Sequence, residues 1–218
     1  MTEVKVCGLM RHGDAAVAVQ AGAAYLGVIL APGFKRSVTP DTARIILDSF
    51  PVRRVGVFVD ADEHSLRSAA QAAGVDVLQL HGDEPPELAA RMRAAGWEVW
   101  KAVRARSADD FSHAVRRYAG CVDALLLDGY SPDSHGGTGT RFPWEDVAAR
   151  LHELPPEVRL IAAGGLRPEN VAHAVRTLRP HAVDVSSGVE RAPGQKDPAA
   201  VQAFVHAVRG VSSSSPMQ

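Results

Sequence analysis

The sequence is poor in cysteine, in net charge and in long apolar runs. Only Cys7 and Cys121 occur among 218 residues, which leaves no disulfide framework to build. A formal net charge of −1 argues against nucleic acid or an anionic membrane as the main partner. No apolar run approaches the roughly 20 residues of a membrane span, and the opening MTEVKV has no secretory pattern. We therefore expect a soluble, cytoplasmic protein.

Two kinds of binding motif are also missing. The glycine cluster GGTGT at 136–140 lacks both the ending of a phosphate-binding P-loop and the spacing of a dinucleotide fingerprint. The nine histidines are scattered, and no group of Cys, His and carboxylate residues has the spacing of metal ligands. The glycine cluster is better explained as a mobile lid, and no metal is expected.

What the chain does contain is a regular alternation of strand-like and helix-like segments. Apolar runs occur at 4–7, 25–30, 54–59, 75–80, 97–103, 122–127, 158–163 and 182–186. Helix-like segments follow them at 14–23, 41–50, 63–73, 86–95, 108–118, 144–152, 168–178 and 198–208. Eight such units of about 25 residues predict an α/β protein that folds as a single (β/α)₈ (TIM) barrel. We expect the barrel to cover residues 1–211 and a disordered tail to cover 212–218.

Polar residues gather near the carboxyl ends of these strands. Alternation of side chains along each strand predicts which of them point into the barrel. The inward polar residues are Cys7, Gln79, His81, Asp128 and Asp184. Because barrels carry their active sites at this end of the strands, the cluster indicates a site rather than isolated structural groups.

Lys5 lies on the same face of the first strand as Cys7. A buried ammonium group is costly unless it is paired, and barrel closure brings the first strand beside the eighth. We therefore predict that Lys5 pairs with Asp184. A nearby cation would also favour the thiolate of Cys7, which could then act as a base facing the acid Asp128. Cys121 begins its strand, so it should lie at the other end of the barrel, out of reach of Cys7.

The last two strands are followed by glycine-containing loops. The first loop contains Gly164 and Gly165, and the second contains Ser187 and Gly188. Glycine lets the backbone approach a ligand and offer its N–H groups, and the following helix N-termini favour an anion. Since barrels commonly bind a phosphate between these two loops, we predict a phosphate site at these residues.

These motifs, taken in chain order from residue 4 to about 208, resemble the phosphoribosylanthranilate isomerase family. The matching segments are KVCGL at 5–9, QLHG at 79–82, LD at 127–128, GGTG at 136–139 with Phe142 and Trp144, AGGL at 163–166, and DVSSGVE at 184–190. The resemblance implies an Amadori rearrangement in tryptophan biosynthesis, without a metal or an organic cofactor. N-(5-phosphoribosyl)anthranilate would become 1-(2-carboxyphenylamino)-1-deoxyribulose 5-phosphate.

The resemblance also implies roles for single residues. Asp128 would be the general acid that opens the ribose ring, and Cys7 the base that takes the proton from C2. Arg36, in the loop after the second strand, would hold the anthranilate end, although many relatives have Ser-Pro-Arg where this chain has Phe34-Lys35-Arg36. Gln79, His81 and Asp184 are expected to contact the substrate, which is a small phosphosugar. A monomer is the working expectation.

Two other functions compete with this interpretation. The isomerase of histidine biosynthesis catalyses the same rearrangement on a bisphosphorylated substrate, but it uses aspartates at both catalytic strands, and Cys7 argues against it. A barrel that only binds a phosphosugar is the second alternative. The presence of both Cys7 and Asp128 favours catalysis, and turnover would separate the two.

Overall fold

The computed structural model describes residues 1–129 and 144–213 of the chain. Eight parallel strands pair in chain order and close into a barrel, with β1 beside β8. The barrel strands are β1 (Glu3–Val6), β2 (Tyr25–Ile29), β3 (Arg53–Phe58), β4 (Val77–Leu80), β5 (Glu98–Val103), β6 (Ala124–Asp128), β7 (Arg159–Ala163) and β8 (Ala182–Val185). The helices are α1 (His12–Ala21), α2 (Pro40–Leu47), α3 (Glu63–Ala73), α4 (Pro86–Ala94), α5 (Ala108–Tyr118), α6 (Trp144–Ala148), α7 (Val171–Leu178) and α8 (Pro198–Ser213). The predicted TIM barrel is confirmed.

Two apolar layers hold the barrel together. One lies between the helices and the strands, and the other fills the interior of the barrel. Val4 and Val6 belong to the outer layer, as their alternation with Lys5 predicts. The inner layer includes Leu126, two residues before Asp128 on the same face of β6. Each strand therefore buries both faces, which explains why the strands look almost continuously apolar in the sequence.

A polar cluster fills the amino-terminal end of the barrel. The indole of Trp100 donates to Glu98 at 2.6 Å, and Arg53 and Arg159 also bind this carboxylate. The hydroxyl of Tyr25 donates to Glu3 at 2.8 Å, and burial, followed by this hydrogen bond, raises the pKa of Tyr25 to about 12. All of these residues except Trp100 are the first residue of a strand: Glu3 of β1, Tyr25 of β2, Arg53 of β3, Glu98 of β5 and Arg159 of β7. The cluster therefore occupies the end of the barrel away from the carboxyl ends of the strands.

Helix α5 begins where its capping residues predict. The side chain of Ser107 accepts from the N–H of Asp110, and the Asp110 carboxylate accepts from the N–H of Ser107. This reciprocal pair satisfies two donors that the first turn of a helix leaves unpaired. Asp62 caps α3 in a similar way by accepting from the N–H of Ser65. Both helices occupy the predicted ranges.

The structure differs from the prediction near the end of the chain. A short hairpin of β9 (Glu190–Ala192) and β10 (Gln195–Lys196) follows β8 and was not predicted. The segment predicted as one helix at 144–152 is instead α6 followed by a 3₁₀ turn at Leu151–Glu153. Helix α8 continues to Ser213, past the expected start of the tail at 212, because its buried side chains dock it on the barrel. Residues 214–218 lie outside the described residues.

Within the described ranges, no helix is long and apolar enough to cross a membrane.

Candidate active site

A cavity of about 320 Å³ opens at the carboxyl ends of the strands. It brings together all of the residues predicted for the site except Arg36. They are Cys7, Gln79, His81, Asp128, Gly164, Gly165, Asp184, Ser187 and Gly188. The inward side-chain pattern of the strands therefore locates the cavity correctly.

Asp128, the last residue of β6, is linked to two side chains of the β4 segment. Its Oδ2 lies 3.1 Å from Nε2 of His81. The other ring nitrogen of His81, Nδ1, lies 2.8 Å from the amide nitrogen of Gln79. Gln79 and His81 are two residues apart and share a face of the strand, so both point towards the cavity. The result is a hydrogen-bonded chain that ends at the predicted acid.

Cys7 follows β1, across the cavity from β4 and β6, and lies next to a buried ion pair. The ammonium group of Lys5 is fully buried and lies 2.8 Å from Asp184 Oδ2, as predicted. Burial lowers the pKa of Lys5, but pairing with Asp184 and contact with Cys7 together raise it above its ordinary value, so this group is a cation. The other carboxylate oxygen of Asp184, Oδ1, is buried and has no hydrogen-bond partner among the described residues.

Attraction to Lys5 favours the Cys7 thiolate, as expected, but it does not set the net direction of the Cys7 pKa. Burial raises the pKa of Cys7, the carboxylate of Asp184 raises it further, and attraction to Lys5 only partly offsets these effects. The side chain lines the cavity but is only 6% exposed. Desolvation therefore exceeds the cation attraction, and the resting residue is a thiol.

Arg36 is not among the residues that line the cavity, and it is bound to a carboxylate. Its Nε and Nη2 donate to Glu190 Oε1 and Oε2 at 2.8 and 2.6 Å. The buried Lys196 donates to Glu190 at 2.9 Å and to the carbonyl of Ser186 at 3.0 Å. Burial would raise the pKa of Glu190, but hydrogen bonds from Arg36 and Lys196 hold it below its ordinary value. A Cβ on Gly8 would lie 2.6 Å from Arg36 Cδ, so Gly8 makes room for this arginine.

The glycines of the predicted phosphate site have different structural roles. A Cβ on Gly164 would lie 2.2 Å from the nitrogen of Gly129, and one on Gly188 would lie 1.9 Å from the carbonyl oxygen of Leu166. These two glycines allow backbone segments to pack. A Cβ on Gly165 would meet nothing within 4 Å, and its φ of +63° suits glycine. Gly165 is therefore the position where the backbone is open to the cavity.

The loop after β4 contains Glu84, which forms a buried ion pair with Lys101 on β5 that the sequence analysis missed. Glu84 accepts from the backbone N–H of Asp60 and of Gly82 at 3.0 Å. Its partner Lys101 lies 3.1 Å away and also donates to the carbonyl of Gly82 at 2.6 Å. Because His81 directly precedes Gly82, this pair holds the backbone on which His81 is mounted.

Some predicted features cannot be placed. The proposed lid at 136–140, and Phe142 of the family motif, lie outside the described residues. Among the residues that are described, no three His, Cys, Asp or Glu side chains are grouped so that they could hold a metal ion.

A closed parallel barrel with a carboxylic acid, a thiol and two glycine loops at the carboxyl ends of its strands defines a (β/α)₈-barrel enzyme. Comparison with known proteins identifies the family. The model of the N-(5'-phosphoribosyl)anthranilate isomerase family matches residues 4–207. The chain belongs to this family, so it is an isomerase of tryptophan biosynthesis. The resemblance inferred from the sequence motifs is confirmed.

Individual relatives match over nearly the whole chain. The isomerase of Geobacter sp. (strain M21) is 44% identical over 214 residues, which cover 97% of this chain and 100% of the relative. That of Myxococcus xanthus is 43% identical over 213 residues, with coverage of 96% and 97%. The crystal structure of the Thermotoga maritima isomerase superposes with a TM-score of 0.85 at 36% identity, covering 96% of this chain and 100% of that one.

Proposed function

We propose that the cavity catalyses the Amadori rearrangement by general acid–base catalysis, with Asp128 as the acid and Cys7 as the base. The substrate is N-(5-phosphoribosyl)anthranilate and the product is 1-(2-carboxyphenylamino)-1-deoxyribulose 5-phosphate. The observation that carries the proposal is that Cys7, Asp128 and both glycine loops line one cavity. A phosphosugar held at the loops would place its carbon chain between the two side chains.

In the first step, Asp128 gives a proton to the oxygen of the ribose ring. The bond between C1 and this oxygen breaks, and the lone pair of the anthranilate nitrogen forms the C1–N double bond of a protonated Schiff base. The ring oxygen becomes a hydroxyl group, so the proton and the electron pair are both accounted for. The hydrogen bond between His81 and Asp128 holds the carboxyl group in place for this transfer.

In the second step, Cys7 takes the proton from C2. The electrons of the C–H bond form a double bond between C1 and C2, and the electrons of the C–N double bond return to nitrogen. The resulting enolamine becomes the ketone by tautomerisation. Because burial favours the neutral thiol in the resting protein, Cys7 first gives its own proton to solvent, and the buried cation of Lys5 stabilises the thiolate that results.

Binding energy comes from the two ends of the substrate. The loops at Gly164–Gly165 and Ser187–Gly188 would hold the phosphate through backbone N–H groups, with Gly165 as the open position. Arg36 would bind the anthranilate, since a planar guanidinium matches a benzoate in charge and shape. Gln79, His81 and Asp184 would contact the sugar. A solved relative with a TM-score of 0.83 and 35% identity, covering 96% of this chain and 100% of its own, holds reduced 1-(o-carboxyphenylamino)-1-deoxyribulose 5-phosphate.

The direct test is to mix the protein with phosphoribosylanthranilate and follow the loss of its fluorescence. We expect turnover by the wild-type protein and none by a variant carrying both Cys7→Ala and Asp128→Asn. The bisphosphorylated substrate of histidine biosynthesis should be tested in parallel. Binding of phosphoribosylanthranilate without turnover would leave a phosphosugar-binding barrel, and turnover of the bisphosphate alone would assign the other isomerase activity.

A monomeric state and a cytoplasmic location remain predictions. One solved relative, from Thermotoga maritima, is a dimeric enzyme from which monomers were generated; it is 37% identical, with a TM-score of 0.84, and the match covers 96% of this chain and 100% of that one. Sedimentation of the purified protein at two concentrations would decide the state of this chain.

A further inference from the structure

Gln79 is a buried polar residue whose side chain has one partner and one unused atom. Only 1% of the residue is exposed. Its amide nitrogen lies 2.8 Å from Nδ1 of His81. Its amide oxygen, Oε1, has no hydrogen-bond partner among the described residues. An unpaired buried acceptor costs stability, so this oxygen needs an explanation.

The two residues that pair in register with Gln79 offer its amide oxygen no donor. Gln79 pairs in register with Val57 on β3 and with Trp100 on β5. Val57 is apolar, and the only polar atom of Trp100, its indole N–H, already donates to Glu98. Gln79 lines the cavity together with His81 and Asp128. Since no described residue donates to this oxygen, a donor on a ligand in the cavity could pair with it.

The orientation of the amide decides which nitrogen of His81 carries the proton. With the amide nitrogen towards His81, one acceptor is left unpaired. With the amide reversed, the NH₂ group and both of its donors would be buried without a partner, which costs more. The observed orientation makes Nδ1 of His81 an acceptor. In the neutral ring the proton then resides on Nε2, which donates to Asp128 Oδ2 at 3.1 Å.

We propose that Gln79 is a positioning residue that links substrate binding to the acid. Its amide nitrogen selects the Nε2-protonated tautomer of His81, and its amide oxygen accepts a hydrogen bond from a hydroxyl or amine group of the bound phosphosugar. This inference rests on the acid role proposed for Asp128.

The link has a chemical consequence. A substrate donor on Oε1 prevents the amide from turning over, so it also keeps His81 in the tautomer that donates to Asp128. That hydrogen bond occupies Oδ2 and leaves Oδ1 as the oxygen that carries the proton to the ribose ring. Gln79 thus acts through His81 and does not itself transfer a proton.

The test reads the tautomer of His81 directly. Protein labelled with ¹⁵N in histidine is studied by long-range ¹H–¹⁵N correlation, with the signals of His81 identified in a His81→Asn variant. We expect Nε2–H in the wild-type protein and a mixture of tautomers in Gln79→Met, which keeps the side-chain length but cannot hydrogen-bond as an amide. The kcat should fall about tenfold, the equivalent of ~1.4 kcal/mol in one hydrogen bond. The affinity for inorganic phosphate should stay the same.

Two further variants complete the test. Gln71→Met, an exposed glutamine on α3, is the matched control and should change neither the spectrum nor kcat. Gln79→Glu can only accept at this position once ionised, so it should move a proton onto Nδ1 of His81. It also serves if Gln79→Met fails to fold. An unchanged Nε2–H tautomer in the Gln79 variants would overturn the proposal, whatever happens to kcat.

The spectra are recorded without ligand, so the result does not depend on turnover. If the wild-type protein failed to convert phosphoribosylanthranilate while the tautomers behaved as expected, the acid role of Asp128 would fail and the Gln79–His81 link would stand.

Discussion

Arg36 and Glu190 form a two-pronged ion pair beside the active site, with N–O distances of 2.8 and 2.6 Å. The same carboxylate also accepts from Lys196. Glu190 therefore fixes the orientation of the Arg36 guanidinium group.

This geometry predicts the effect of Arg36→Lys. Lysine carries one compact charge and cannot bond two carboxylate oxygens and a benzoate at once. We expect KM for phosphoribosylanthranilate to rise about tenfold or more, from the loss of one charged hydrogen bond, while the affinity for inorganic phosphate is unchanged. Steady-state kinetics and calorimetry measure the two quantities. Arg44→Lys, on the exposed face of α2, is the control. An unaltered KM in Arg36→Lys would remove the anthranilate role from Arg36.

A second prediction concerns the acid. Asp128→Asn preserves the shape and keeps an oxygen for His81 but cannot give a proton, so kcat should fall by at least about 10²-fold. Product affinity should change little. The matched control is Asp109→Asn, at an exposed aspartate of α5 that should be neutral for turnover. Rates near the wild-type value in a pure Asp128→Asn preparation would exclude Asp128 from the mechanism.

A third prediction concerns the buried ion pair of Lys5 and Asp184. Lys5→Met leaves the carboxylate buried and unpaired, which should lower the free energy of unfolding by about 3 kcal/mol. It also removes the cation that stabilises the thiolate of Cys7, so activity should fall as well. Denaturant unfolding and kinetics measure these effects.

The double variant Lys5→Met with Asp184→Leu separates the two effects. It should regain much of the lost stability, because no charge is left unpaired, but none of the activity. Recovery of activity in the double variant would show that the pair is purely structural.

A fourth prediction tests the phosphate loop by comparing two variants, Gly165→Ala and its control Gly96→Ala. Gly165 and Gly96 both have positive φ and room for a Cβ, so Ala should strain the backbone similarly at each site, by about 1 kcal/mol. Only Gly165 lines the cavity. We expect Gly165→Ala to weaken the binding of product and of inorganic phosphate by calorimetry, and Gly96→Ala to leave both unchanged. Equal affinities in the two variants would place the phosphate elsewhere.

A fifth prediction follows from the raised pKa of Cys7. Less thiolate is present at neutral pH than for a free thiol of pKa 9.0, so iodoacetamide should modify Cys7 slowly at pH 7. The rate should increase about tenfold per pH unit, up to a pH above 9, because the thiolate is the nucleophile. Bound product should protect Cys7.

Peptide mapping of a Cys121→Ser variant isolates this reaction. Fast labelling of Cys7 at pH 7, with no further increase at higher pH, would contradict the raised pKa and show that attraction to the cations exceeds desolvation. Labelling of Cys7 that product does not block would contradict its place in the substrate cavity.

Much of the site could be predicted because strand periodicity specifies direction. Once Lys5 and Cys7 are assigned to one face of β1, barrel closure leaves few partners for the ammonium group, and Asp184 is the nearest. The same alternation puts Gln79 and His81 on the cavity wall. These inferences need only the number of strands and their order.

The other features of the site could not be predicted, because they depend on how the folded chain packs and not on the residue pattern. The pKa of Cys7 follows from desolvation against attraction to Lys5, and both depend on how tightly the interior packs. Strand β10 has two residues, too few to show any period, so the position of Lys196 under Glu190 could not be foreseen. The Glu84–Lys101 pair was missed because a single buried ion pair between a loop and a strand has no spacing signature.

The pairing of β1 with β8 also has a consequence for how the protein is made. Lys5 and Asp184 are 179 residues apart in the chain, so their contact forms only when the last barrel strand meets the first. During synthesis the chain emerges from its amino terminus, and Lys5 stays hydrated until β8 exists. Contacts between such distant residues also make folding slow. The ion pair beside Cys7 is therefore completed only when the barrel closes, and we expect enzymatic activity to appear at that step.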